Sequence, residues 1–173
     1  MRLFEPALRL SGTLWARGAI QVTDEHFITH HTVRLIRRVR RIFVPEQTSG
    51  PLALATGVAQ ESHLIGLRMV CDFLRTANWR IAWLPSTDRA TVADEVRRLQ
   101  PQAVLMSLGQ DRGITPAQRL ITDLRRRDYR GLAIVGGRII TQRPELVTEM
   151  GADLTAPNGV MLLRELKKRS IDR

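Results

Sequence analysis

Over the first 45 residues, apolar positions recur at helical spacing. After residue 51 they collect instead into short runs separated by amphipathic stretches. Leu8, Leu10, Leu14 and Trp15 supply an apolar face behind Pro6, which suits an early helical position. Gly12 weakens that helix and Gly18 ends it. Thr23 or Asp24 is a good N-cap for a second helix over residues 25 to 44, closed by Pro45. Glu46-Gln47-Thr48-Ser49-Gly50-Pro51 has the composition of a linker.

Residues 52 to 58 form an apolar run of the kind expected from a buried parallel strand. A helix is predicted over 62 to 76, with Leu64, Leu67, Val70, Cys71 and Leu74 inward. Further strands are predicted at 80 to 84, 103 to 107 and 132 to 135, and a weak last one at 152 to 155. The intervening helices fall at 89 to 99, at 115 to 127 behind a Thr115-Pro116 start, and briefly after Pro144, with a final helix at 159 to 168. Five strands alternating with helices through short loops predict an α/β fold, a doubly wound five-stranded parallel sheet. The expected organisation is a helical segment (1–45), a linker (46–51) and a Rossmann-like domain (52–173). Such sheets bind ligands beyond the carboxyl ends of their strands, at the switch in strand order. His63 follows the first strand, Ser107 ends the third and Gly136-Gly137 ends the fourth, so all three belong to that edge.

Composition narrows the class. Hydrophobic residues make up 43% and charged residues 25% of 173 residues, as in ordinary globular proteins. No apolar run approaches a bilayer span, and the start lacks the pattern of a signal peptide. A lone Cys71 excludes an internal disulfide and suits a reducing cytoplasm. The net charge of +10 raises the question of nucleic acid. Lys167 and Lys168 are the only lysines, however, an arginine bias that a GC-rich genome also produces. Arg34, Arg37, Arg38 and Arg41 form one helical stripe, read as a solvated or partner-facing surface with phosphate binding as the lesser alternative.

The edge residues also carry a resemblance. Glu61-x-His63-x-x-Gly66, then Ser107, then Gly136-Gly137, resembles the cobalamin-binding Rossmann-like domain from about residue 50 onward. Forty residues separate Gly66 from Ser107 and twenty-eight separate Ser107 from Gly136, close to that family's spacing. The resemblance implies that His63 binds cobalt from below and displaces the cofactor's dimethylbenzimidazole. A neutral imidazole suits that metal. It implies that Glu61 orients His63, and that Ser107, Gly136 and Gly137 receive the displaced tail. Gly66 gives clearance beneath the corrin. The family usually has Ser-x-Leu where this chain has Ser107-Leu108-Gly109, which makes Gly109 part of the candidate slot.

Trp15 followed by Glu25-His26 resembles the W-x9-E-H signature of the helical cap in B12-dependent photoreceptor regulators. There the cap covers the upper face of cobalamin; this chain carries the equivalent of its last two helices. The histidine that follows the tryptophan in those photoreceptors is Ala16 here. His26 and His30 share a helix face, with His31 beside them, and read foremost as a polar surface. Cys71 reads as core packing.

Corrinoid carriers typically have Asp before the histidine and Lys-Asn after the glycine, whereas this chain has Glu61 and Leu67-Arg68. The implied function is a cobalamin-binding, light-responsive regulatory protein and not an enzyme. It would hold adenosylcobalamin or hydroxocobalamin and act on a transcription regulator, as the cobalamin-binding antirepressors do. A haem sensor on the same scaffold and a corrinoid carrier of a methyltransferase are the alternatives.

Overall fold

The structure is a computed structural model and describes residues 4–46, 48–59, 61–62, 64–84 and 88–169. It divides into two compact units, Met1–Val44 and Pro45–Arg173.

The first unit is a helical hairpin of α1 (Phe4–Ala16) and α2 (Val22–Phe43). Gly18 ends α1 as expected: its φ of +69° lets its N–H reach the Trp15 carbonyl and that of Ala19 reach Leu14. The second helix starts earlier than its sequence suggested. Gln21 is the N-cap, and Asp24 sits inside the first turn, where its carboxylate accepts the Gln21 N–H at 3.0 Å. Leu35, Val39, Ile42 and Phe43 are exposed on α2, beside the exposed arginines 34, 37, 38 and 41.

The second unit is a parallel sheet of β1 (Leu52–Gly57), β2 (Arg80–Leu84), β3 (Ala103–Ser107) and β4 (Leu132–Gly136), in the order β2-β1-β3-β4. The chain leaves β1 toward β2, then crosses back to β3, so the switch point lies between β1 and β3. Alternation along the strands divides the core into two layers. Leu54, Val104, Met106 and Val135 pack against α4 (Arg89–Leu99) and α5 (Ile114–Arg126). Ala53, Ala55, Leu105 and Ile134 pack against α3 (Ile65–Thr76) and α8 (Gly159–Lys168). Among the described residues, no helix is long and apolar enough to cross a membrane.

Four strands form, not five. The segment expected as the last strand makes a single parallel bridge, Ile134 to Leu154. One residue earlier, the Asp153 carboxylate takes the edge position itself: it accepts the Ala133 N–H at 2.6 Å and pairs with Arg125. Pro157 and the Asn158 N-cap then turn the chain into α8. Other boundaries also differ. The helix expected from residue 62 begins at Ile65, with Leu64 as its N-cap, and the Glu61 N–H donates to the Val58 carbonyl. A short helix α6 (Arg138–Gln142) follows Gly137 directly, before α7 (Leu146–Glu149), where a turn was expected. The start of α5 is Ile114, behind a 3-10 turn at Asp111–Gly113; Pro116 occupies its third position, where the N–H lacks an intrahelical partner anyway.

Asp153→Ala removes the acceptor of the Ala133 N–H and the partner of Arg125. It should cost about 1–3 kcal/mol in chemical denaturation.

Candidate cofactor site

Three residues line up across the carboxyl edge of the sheet. Gly57 on β1 is in register with Ser107 on β3, and Ser107 with Gly136 on β4. Register partners point to the same face. Ser107 alternates with Leu105, so it belongs to the face covered by α3 and α8. Its side chain is nearly closed to solvent, at 6% exposure.

The glycines around it divide into two kinds. A Cβ on Gly57 would lie 2.8 Å from Leu64 Cδ2 and 3.0 Å from the Glu61 carbonyl oxygen, so the missing side chain lets these two residues close over the end of β1. A Cβ on Gly137, at φ +106°, would be driven into the Leu108 carbonyl. A Cβ on Gly109 would sit 2.5 Å from Glu61 Oε2. At Gly137 the obstacle is backbone, whereas at Gly57 and Gly109 the nearest atoms are the side-chain ends of Leu64 and Glu61. Gly66 and Gly136 are different: a Cβ on either would meet nothing within 4 Å. At Gly136, beside the Ser107 hydroxyl, the missing side chain leaves open space.

Glu61 is 5% exposed, and its Oε2 accepts the Gly109 N–H at 2.6 Å. The two loops after β1 and β3 are thus joined across the switch point. His63 lies outside the described residues.

In the hairpin, Trp15 is in the last turn of α1 and half exposed, so it is not core. Glu25 accepts the Thr29 hydroxyl at 2.7 Å, and its other carboxylate oxygen is 3.8 Å from the exposed His26 ring. His31 Nδ1 lies 2.9 Å from the Phe27 carbonyl, and its ring is 4.0 Å from that of Phe27 and 5.6 Å from that of His30. Among the described residues, no group of three metal-ligating side chains occurs.

The model of the B12 binding domain matches residues 51–166, a span that contains the whole sheet and its carboxyl edge. The chain belongs to the B12-binding domain family. No curated protein sequence matches it. Three solved structures of cobalamin or corrinoid proteins have a similar fold. The monomethylamine corrinoid protein of Methanosarcina barkeri is 17% identical, with a TM-score of 0.80 over 97% of this chain and 79% of that one. A cobalamin-binding protein of Desulfitobacterium hafniense DCB-2 is 14% identical, with a TM-score of 0.63 over 93% and 77%. The methanol:cobalamin methyltransferase complex of Methanosarcina barkeri is 15% identical, with a TM-score of 0.63 over 98% of this chain and 66% of that one.

The residues present fit the cofactor class of the B12-binding family. Ser107 offers a nearly buried hydroxyl that can donate and accept, and its register neighbour Gly136 has open space where a side chain would stand. Sequence reasoning reached Ser107 and Gly136 by spacing. It missed Arg138, whose guanidinium donates to the Gly109 carbonyl at 3.2 and 3.3 Å. A basic residue directly after Gly136-Gly137 was the only available signal. Cys71 is core, as expected: burial pushes its thiol up to about 12, against the lowering effect of Arg75.

Two outcomes follow from this packing. Gly136→Ala should leave the stability of the cofactor-free protein within about 1 kcal/mol, whereas Gly137→Ala should cost about 1–3 kcal/mol in the same denaturation measurement. The Cys71 thiol, neutral and buried, should resist a disulfide reagent at pH 8 and react once the protein is unfolded.

Proposed function

We propose that the chain is a cobalamin-binding regulatory protein that holds its cofactor base-off, with His63 as the lower cobalt ligand. The observation that carries the reading is the row Gly57–Ser107–Gly136 in a member of the B12-binding family. It sets the nearly buried Ser107 beside open space at Gly136, on the carboxyl edge of the sheet. In this reading Ser107 bonds the displaced dimethylbenzimidazole tail and Gly136 admits it. Gly137 shapes the slot by holding Leu108, and Gly66 leaves clearance under the corrin. Glu61 fixes the tautomer and orientation of His63. The W-x9-E-H pattern supports assigning Trp15, Glu25 and His26 to the upper face. Bound cobalamin would supply a cobalt centre with exchangeable axial ligands and, as adenosylcobalamin, a light-sensitive cobalt–carbon bond.

The regulatory part rests on different residues. Leu35, Val39 and Ile42 are exposed beside an arginine stripe on α2, which supports a protein partner. The partner proposed is a transcription regulator in the cytoplasm. A second reading, a corrinoid carrier subunit of a methyltransferase, draws on the likeness to the monomethylamine corrinoid protein. Glu61 in place of Asp and Leu67-Arg68 in place of Lys-Asn speak against it.

Absorption spectra of the purified protein with hydroxocobalamin and adenosylcobalamin, and separately with haem, test the cofactor. Wild type should show the base-off, histidine-ligated form, and His63→Ala should lose it. A His63→Ala variant with an unchanged spectrum overturns the lower-ligand assignment. Green light should change the adenosylcobalamin spectrum and the binding of the partner. Methyl transfer to a thiol with no response to light would favour the carrier.

A further inference from the structure

Gly109 is gripped on both sides. Its N–H donates to Glu61 Oε2 at 2.6 Å, and its carbonyl accepts from Arg138 Nε and Nη2 at 3.3 and 3.2 Å. The residue before it is held as tightly. Leu108 is fully buried; its N–H donates to the Gly136 carbonyl at 2.9 Å, and its carbonyl accepts the Ile139 N–H at 3.4 Å. Neither neighbour tolerates a side chain: a Cβ on Gly109 meets the Glu61 carboxylate, and one on Gly137 meets the Leu108 backbone. The loop after β1, the loop after β3 and the start of α6 are therefore fastened together through one dipeptide, Leu108-Gly109.

We propose that this dipeptide is a coupler between the tail slot and the loop that carries residue 63, with Glu61 and Arg138 as positioning residues on its two sides. The Gly136 carbonyl, which holds Leu108, belongs to the residue bordering the open space. A group lodged against Gly136 bears on Leu108, and through the Gly109 N–H on the carboxylate of Glu61. A carboxylate hydrogen bond is stronger than a neutral one, and in a buried setting it is not readily exchanged for water. The side-chain length of Glu61 matters here. Aspartate, one carbon–carbon bond shorter, would keep the charge and lose the reach to Gly109. Glutamine would keep the reach through its amide oxygen and lose the charge. The departure Ser107-Leu108-Gly109 and the glutamate at 61 are then one adaptation, since the longer carboxylate occupies the place of a Cβ at residue 109.

The ligand side of this inference rests on the proposed cobalamin function; the fastening does not. Amide hydrogen exchange in the cofactor-free protein tests the fastening. The Gly109 amide should exchange at least about tenfold faster in Glu61→Asp than in wild type, while Glu61→Gln retains protection. Unchanged exchange in Glu61→Asp overturns the fastening. Hydroxocobalamin titration tests the coupling. Glu61→Asp and Arg138→Ala should each weaken binding by about tenfold and lower the histidine-ligated fraction of the bound spectrum. The double variant should lose no more than the worse single variant. Additive losses, or weaker binding with an unaltered bound spectrum, overturn the coupling. A wild type that binds no cobalamin overturns the proposed function and the coupling to the slot, and the exchange measurement still decides the fastening.

Discussion

The bond from the Gly109 N–H to Glu61 governs the geometry of the carboxyl edge. It joins the β1 and β3 loops across the switch in strand order, where a parallel sheet leaves a crevice. Burial gives the bond its force. A carboxylate at 5% exposure needs donors, and a backbone amide supplies one that no side-chain change can remove. Glu61 and Leu64 close over Gly57, and α3 starts at Ile65.

The open space beside Ser107 follows from the same arrangement. Strands β1, β3 and β4 end in register, so two glycines flank one serine. On the β1 side Leu64 and Glu61 fill the volume; on the β4 side nothing does. The edge is thus closed over Gly57 and open beside Gly136.

The hairpin has a different physical character. Its second helix carries acidic residues in its first turn and basic residues in its last, which suits the helix dipole. It also leaves large apolar side chains exposed beside arginines. These exposed side chains belong to the first compact unit, and the row Gly57–Ser107–Gly136 to the second.

The amino-acid pattern alone determined the α/β alternation, the parallel sheet, the end of α1 at Gly18, and the edge to which Ser107 and Gly136 belong. These properties are local: apolar runs, turn residues and short connections constrain neighbouring residues directly. It overstated the last strand, because the short segment Ala152-Asp153-Leu154-Thr155 cannot reveal that the Asp153 side chain takes the edge position. It also treated the glycines alike. Only the folded chain distinguishes Gly109 and Gly137, which the protein's own packing requires, from Gly66 and Gly136, which face empty space. Likewise Glu61 and Gly109 are 48 positions apart, and no periodicity links them. Their contact exists because the strand order brings the ends of β1 and β3 side by side, a decision that tertiary structure makes.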